Sequence, residues 1–566
     1  MATVEVRDHA LWIAHISGDD SFKQILDRLT EGEEISLVVD GVAGVWAKMS
    51  NGTDGRPTPG LRPLGIARDN WHALQSERGS QVSIRLNKTD SVTCIRNAAW
   101  VAAWDPETDT HVYRRGIDVV FSEQGIIHVG ETYAGPVDEE VNGQDLFVIP
   151  GLIDVHSHPH HEPSYKGLRE EHGLPSMYMS GLYERGQAFR LDEEGRKAGA
   201  EVAYSELLAC GVTTLADLST PFDGWIDLMA QSGLRGFIAP GYASARWYMS
   251  NQHQIQFDWN EIAGREGFDY AIKVMEQAES HPSGRLSGVV YPAQIDTCTE
   301  DLLRDSADFA LQSGRPVTTH AAQSVNEFYV MVERHGKTPI QFARDIGLLG
   351  PNTLLGHAIF IDEHSWLHWW SKEDLPALVE SGTSVAHCPT PFSRYGQTMQ
   401  DLGKYLRAGV NIGIGTDCSP HNLIEEMRTA AILARVAAED INTIQTADLF
   451  HAATIGGANA LMRDDIGRLG VGKKADITLI DLADVTMMPA RDPLRNLVYT
   501  AAERAVKDVY VDGVKVVSDR KVLTLDRRDA AGRLAEAQAR MISAVPQHDY
   551  AGRSADDITP LSLPVR

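Results

Sequence analysis

The middle of the chain alternates short β-type runs with amphipathic helical stretches eight times over. In order, the runs are "LIDVHSH", "VTTLADL", "RGFIAPGY", "LSGVVYP", "PVTTHAA", "TLLGHAI", "TSVAHCP" and "NIGIGTD". Helical segments such as "GRKAGAEVAYSELLACG" and "VNEFYVMVERHG" lie between them. Parallel strands need a crossover long enough to hold a helix, so a repeated strand-then-helix order selects α/β layering. Eight units is the arithmetic of a (β/α)8 barrel. A doubly wound open sheet shares the alternation, but no glycine-rich phosphate fingerprint follows the first run.

Strand-like runs flank this region on both sides. "VTCIRNAAWVAAW", "IDVVFSEQGIIHVG" and "DLFVIP" precede it; "ADITLIDL" and "VKDVYVDGVKVV" follow, the last with an Asp-Gly hairpin signal. One β domain assembled from both flanks is expected. The divisions are then 1–90, a small α+β module of unassigned role; 91–150 and 475–525, the two parts of a β-sandwich; 151–474, the barrel; and 526–566, a terminal helix and extended arm. In the first module, Phe22, Ile25, Leu26 and Leu29 share one helical face, and "ISLVVDG" reads as a strand entering a turn. In the tail, Leu534 and Met541 stand two helical turns apart, which suits a docking helix.

Charge and cysteine content narrow the function class. A formal net charge of −26 disfavours nucleic acid and anionic membranes as partners. The 5 cysteines are scattered without a CxxC pair, which reads as a reducing compartment. The start lacks a basic-then-apolar leader, and no apolar run is long enough to span a bilayer. A cytoplasmic protein with a small-molecule substrate is the expectation.

In a barrel of this kind the chemistry collects at the carboxyl ends of the strands. His156 and His158 end the first run two residues apart, so both point to one face. His320 ends the fifth run, His357 the sixth, His387 the seventh and Asp417 the eighth. Histidines buried for packing alone have no reason to choose strand ends repeatedly, so the set reads as a metal site. Three neutral imidazoles with one carboxylate suit one divalent ion, zinc first, with iron or manganese as alternatives. Such a site lowers the pKa of a bound water toward about 7. Asp417 can take the proton as that water attacks. His160 and His161 follow the Pro159 break and have left the strand, for the pocket rim or for solvated surface.

These motifs resemble the amidohydrolase superfamily, in particular its chlorohydrolase/deaminase-like branch acting on triazines, guanine, cytosine and related heterocycles. "PGLIDVHSH" is similar to that family's first-strand signature and "ACGVTTLADL" to its second. "YPAQIDTCTEDLL", "THAAQSVNEF", "GLLGPNTLLGHAIFIDE", "VAHCPTPFSRYG" and "GTDCSPHNLIEEMRTAAIL" resemble the fourth to eighth. The resemblance covers residues 91–525 and leaves the N-terminal module outside. It implies a distorted barrel with a composite β-sandwich. It also implies one divalent metal on His156, His158, His320 and Asp417, with His357 hydrogen-bonding the substrate or the bound water. No Lys ends the fourth strand, so no carboxylated-lysine bridge and no second metal is expected. Members are commonly dimers or larger.

Two departures matter. Deaminases of the branch carry His-x-x-Glu on the fifth strand, where the Glu passes a proton to a ring nitrogen; here that position is Gln323. An amide is no general acid or base, and the alternative is that Gln323 faces away from the pocket. If it faces in, hydrolysis of an amide, urea, carbamate or lactam is favoured, with Asp417 moving the proton and His357 polarising the carbonyl. Hydrolytic deamination or dechlorination of an N-heterocycle is the runner-up, and a non-catalytic binding member of the family is the reading from another class. On the seventh strand "HCPTPFSR" brings Pro391 and Phe392 to the pocket and suggests a bulkier or more apolar substrate. Trp247 and Tyr248 are candidates for ring stacking or plain packing, and His421 for a contact to the substrate or behind a metal ligand.

Overall fold

The computed structural model describes residues 91–566 apart from 169–172, 174–180 and 252, and within 1–90 the backbone of seven strands. Those seven (Ala2–Arg7, Ala10–Ile16, Glu34–Val39, Val42–Met49, Gly60–Pro63, Gln81–Val82 and Ile84–Leu86) form one antiparallel sheet. Its spatial order is sixth, first, second, fifth, fourth, third, seventh. The helix expected over 22–29 lies outside the described residues. This sheet belongs to one compact unit, Met1–Ser91, and the rest of the chain, Val92–Arg566, forms another.

In the second unit all eight expected runs are strands: β1 Leu152–Ser157, β2 Val212–Ser219, β3 Arg235–Tyr242, β4 Leu286–Gly288, β5 Val317–Ala321, β6 Thr353–His357, β7 Ser384–His387 and β8 Ile412–Ile414. They pair in parallel as β1-β2-β3-β4 and β5-β6-β7-β8. Strands buried on both faces read as unbroken apolar runs, and β1, β2 and β5 to β8 are buried at every position.

Among the described residues the strands do not form a single closed sheet. There the two sheets meet through isolated parallel bridges, Val290 to Val317 and Gln294 to His320 on one side, Ser157 to Asp417 on the other. Two local causes are visible. Beyond Gly288 the chain pairs with β3 through Tyr291 and Pro292, and proline has no N–H to extend a ladder. Asp417 has φ 57°, outside the extended region that a strand requires.

Helices follow the strands and are capped by the residues that precede them. In α1, Glu193–Ala209, the Asp192 carboxylate accepts from Gly195 N–H, and two glutamates sit in the positive first turn. In α2, Val325–His335, Ser324 accepts from Glu327 N–H, and Gly336 in the left-handed region ends the helix. Asn422 caps α3, Leu423–Ala438, in the same way. The terminal helix α4, Arg527–His548, buries Ala530, Leu534, Ala537 and Met541, packing with Ala198 and Val202 of α1 among others.

The flanking strands make a second core. A seven-stranded sheet runs Thr110–Arg114, Trp100–Asp105, Leu146–Pro150, Ile477–Asp481, Val506–Val511, Val514–Ser518, Lys521–Val522, so both flanks contribute. A four-stranded sheet of Gly125–Gly130, Ile117–Ser122, Thr93–Ala98 and Glu139–Asn142 packs on it through Ile95, Val119, Phe121, Val148, Ile477 and Tyr510. Gly151 links this sheet to β1. A Cβ there would lie 2.0 Å from Thr213 Oγ1, so the Pro-Gly step at 150–151 is a packing requirement. At the same interface, where Gly151 N–H donates to Asp476 O at 2.9 Å, Arg235 opens β3 and reaches into the sandwich. Its Nε and Nη2 donate to Asp476 at 3.0 Å each, and Nη2 also donates to Asp512 at 2.9 Å.

Candidate metal centre and its cavity

Strand ends bring four side chains to one point. One ligand atom from each of His156, His158, His320 and Asp417 lies within 4.8 Å of the others. His158 Nε2 is 3.3 Å from His320 Nε2 and 3.3 Å from Asp417 Oδ1, and His156 Nε2 is 3.5 Å from that oxygen. Donors bound at about 2.1 Å in a tetrahedron stand about 3.4 Å apart, so these spacings fit an ion of zinc's size. Backbone carbonyls aim two of the rings: His158 Nδ1 bonds Leu218 O at 2.8 Å, and His320 Nδ1 bonds Ala293 O at 2.6 Å. Both Nε2 atoms are thereby turned inward, the usual outer support of a metal-bound imidazole. His156 is completely buried with neither ring nitrogen hydrogen-bonded, which a bound cation would remedy. A Cβ at Gly356 would lie 2.7 Å from His156 Cε1, so β6 must carry glycine there for the ring to fit.

The electrostatics favour neutral rings at His156, His320 and His357, while His158, against its burial, is raised by the Asp417 carboxylate 3.3 Å away. Burial, reinforced by His156, His158 and His357, pushes His320 well below its ordinary value. Burial likewise brings His357 down to about 3. Asp417 resists its own burial: the His156, His158 and His357 rings beside it hold it well below the usual carboxylate range. Asp154 underlies the group, accepting from His156 N–H and Thr416 N–H at 3.1 Å each and from Thr416 Oγ1 at 2.6 Å. Burial pushes Asp154 up to about 6.

A cavity of about 200 Å3 opens on the cluster. His158, His320, His357 and Asp417 form its floor, with Gln323, Trp247 and Phe392 in its walls. Gln323 therefore faces in, and its Nε2 donates to Gln294 Oε1 at 2.6 Å. Phe392 packs edge-on against His357, ring centroids 4.6 Å apart, and His357 Nε2 is 3.9 Å from Asp417 Oδ2. Trp247 donates to Asp296 at 3.0 Å and meets Tyr183 edge-on at 4.8 Å. Tyr248 is not among the lining residues.

Two expectations need correction, for His421 and His160, whereas His161 takes the rim position that was one of its two alternatives. His421 stands apart from the cavity, fully buried with Nδ1 3.6 Å from Glu206 Oε2, because the chain turns into α3 immediately after it. His160 is buried, its Nδ1 3.0 Å from Ser219 Oγ, which also bonds Asp217. His161 lines the cavity. Sequence reasoning also missed Glu162, Tyr165, Tyr183, Arg185 and Gln294, all lining residues carried by loops or a short helix rather than a strand end. The one available signal was the density of histidine and glutamate directly after β1.

Glu426, 1% exposed in α3, illustrates the cost of charge near this centre. Burial, with Asp154 and Asp417 adding to it, pushes its carboxyl from the ordinary 4.5 up to about 8. The folded state then holds a proton that the unfolded chain releases, so this contribution is full below the ordinary value and lost as pH rises through about 8. Glu426→Gln keeps the shape and removes that slope. Thermal melts at pH 6 and pH 9 should show a larger drop in Tm for the parent than for the variant.

Residues 147–516 match the family model described as "Amidohydrolase family". A 5-methylthioadenosine/S-adenosylhomocysteine deaminase of Haloarcula marismortui is 28% identical over 431 residues, 75% of this chain and 94% of that protein. A 5'-deoxyadenosine deaminase of Methanosarcina mazei is 26% identical over 455 residues, 80% of this chain and 98% of that protein. Among solved structures, an adenosine deaminase from Xanthomonas campestris with bound zinc superposes with a TM-score of 0.68 at 23% identity, covering 80% of this chain and 99% of that one. Atrazine chlorohydrolase from Arthrobacter aurescens TC1, complexed with zinc, gives 0.68 at 21%, with 79% and 100% covered. At these identities the superpositions establish a shared fold.

Proposed function

The chain belongs to the amidohydrolase family, with hydrolytic enzymes as its relatives, and from that premise we propose that it cleaves a carbonyl-type C–N bond. The substrate class is an amide, urea, carbamate or lactam of a small ring-containing molecule. The observation that carries this reading is Gln323 in the cavity wall. Its amide cannot deliver a proton to a ring nitrogen, but it can orient a substrate through hydrogen bonds. The eight parallel strands are taken as a distorted (β/α)8 barrel, and zinc as the ion, for its fit to the donor set and its presence in the two solved structures above.

Held by His156, His158, His320 and Asp417, the ion would supply an activated water and a Lewis acid for a carbonyl oxygen. Asp417, ionised, accepts the proton of the attacking water and returns it to the leaving nitrogen. His357, neutral, donates one hydrogen bond to the carbonyl oxygen as charge develops there. Trp247 and Phe392 hold a flat ring and keep water out. The reading includes a reducing, cytoplasmic setting, in keeping with five buried free cysteines, and a homodimer or larger homo-oligomer, which light scattering checks.

A second reading, hydrolytic deamination of an N-heterocycle, is favoured by the deaminases among the relatives. One comparison separates the two. Metal-loaded enzyme is offered amino-heterocycles beside amides, ureas, carbamates and lactams of similar size, and products are followed by mass spectrometry. Cleavage at carbonyl C–N bonds is expected, with Gln323→Glu leaving kcat within about tenfold. Ammonia released from a ring carbon, rising by about 10²-fold or more in Gln323→Glu, would establish deamination instead.

A further inference from the structure

The cavity lining also holds a buried ion pair that is only half used. Arg185 Nη2 donates to Glu162 Oε1 at 3.2 Å, and His161 Nε2 lies 3.3 Å from the same oxygen. Both contacts fall on Oε1. Among the described residues Oε2 has no partner, although Glu162 is 4% exposed and lines the cavity. Arg185 is in the same position: its guanidinium lies 4.4 Å from the Tyr165 ring centre, and the N–H groups on Nε and Nη1 meet no acceptor among the described residues.

Arg235 shows what a purely structural pair looks like here. Both oxygens of Asp476 are engaged, and a second carboxylate, Asp512, shares the guanidinium. A buried charge pair is costly unless its remaining hydrogen-bonding capacity is met. Glu162 and Arg185 line the cavity a substrate would enter, and also a second one that reaches Lys166 and Arg394. Their unmet capacity consists of one acceptor beside one donor. A carboxylate or phosphate ligand would be repelled by Glu162, and an ammonium group by Arg185. A neutral edge with N–H next to C=O satisfies both.

We infer that the Glu162–Arg185 pair reads the –NH–C(=O)– edge of the substrate ring, Oε2 accepting the N–H and Arg185 donating to the carbonyl oxygen. The substrates are then cyclic amides, imides or ureas, flat rings small enough for about 200 Å3 between Tyr165, Tyr183, Trp247 and Phe392. The inference rests on this cavity being the hydrolytic site. His161 ties the pair to the metal cluster, its ring centre 5.5 Å from that of the ligand His158. Glu162 and Arg185 are thus specificity-determining residues within reach of the reacting bond.

The test is calorimetric binding of hydantoin and uracil to zinc-loaded enzyme, each compared with its N,N′-dimethyl counterpart. The expected result is that an unmethylated ring binds and its dimethyl counterpart binds at least tenfold more weakly. In Glu162→Gln, Arg185 and His161 retain the one oxygen and an NH2 group replaces Oε2, donor against donor, so the discrimination should vanish while zinc content is unchanged. Should that variant fail to fold, Arg185→Lys, which keeps the charge and loses the planar fork, should weaken the unmethylated ring at least tenfold. No binding by any ring, equal binding of methylated and unmethylated rings, or discrimination that survives the folded variants overturns the inference. Turnover is scored separately. Discriminating binding with no C–N cleavage in the whole panel would defeat the hydrolase reading and leave edge recognition standing. Cleavage that ignores N-methylation would do the reverse.

Discussion

Asp417→Asn should lower kcat by about 10³-fold while the protein folds normally. In the proposed reaction the carboxylate has two duties that an amide cannot share. Oδ1 stands 3.5 Å from His156 Nε2 and 3.3 Å from His158 Nε2, where it supplies the only anionic donor of the four-residue group. Oδ2, 3.9 Å from His357 Nε2, is the free oxygen that can receive a proton on the substrate side. Asparagine keeps the volume and loses both the charge and the basicity. Metal content by mass spectrometry, measured beside kcat, separates the two losses: a variant that keeps its ion and still loses the rate has lost the proton acceptor. Full activity with the ion retained would move that role to Glu162, the other carboxylate lining the cavity.

The second large effect is on stability and far from the chemistry. Arg235→Met should cost about 3–5 kcal/mol, because it leaves the buried Asp476 carboxylate without its cation. Arg235 and Asp476 are each 2% exposed, and Asp512 Oδ1 is held by Arg235 and, at 3.2 Å, by Lys474 Nζ. The pair joins the first residue of β3 to the segment that enters the sandwich strand Ile477–Asp481, so its loss loosens the seam between the two cores. Urea denaturation checks the figure. Arg235 lies at the amino end of its strand and the candidate site at the carboxyl ends, so kcat of the folded variant should match the parent. A double variant that also replaces Asp476 by leucine should recover part of the loss, since removing both charges also removes the desolvation they imposed.

Much of this molecule was legible without coordinates, for a local reason. Strand and helix periodicity is written in successive residues, and the end of a parallel strand in such an alternation is a defined place. His156, His158, His320, His357, His387 and Asp417 could therefore be assigned to strand ends from position alone. The structure gathers His156, His158, His320 and Asp417 at one point with His357 in the cavity lining beside them, and leaves His387 out of both the group and the lining. The docking face of α4 was likewise read from spacing, Leu534 and Met541 both being buried in it. Strand closure was not legible. It failed at Pro292 and at Asp417, where a missing N–H and a left-handed backbone interrupt ladders that residue pattern alone predicts to continue.

The loop-borne half of the site was decided by tertiary structure. His160 and His161 are neighbours with the same side chain, yet one is sealed against Ser219 and the other faces the cavity, because their direction depends on what packs around the turn after β1. His421 is four residues from Asp417 and turns away to Glu206. Glu162 and Arg185 lie on separate segments, with no periodic pattern to link them, and they meet only when the short 3-10 turn Glu162–Tyr165 and the helix Gly181–Ala188 come together in the folded chain. The sequence by itself determined the layering and the face that carries the candidate metal ligands, since both follow from short-range backbone geometry. Which polar groups confront a substrate was settled by long-range packing, which places a loop side chain through contacts made by residues far away in the chain.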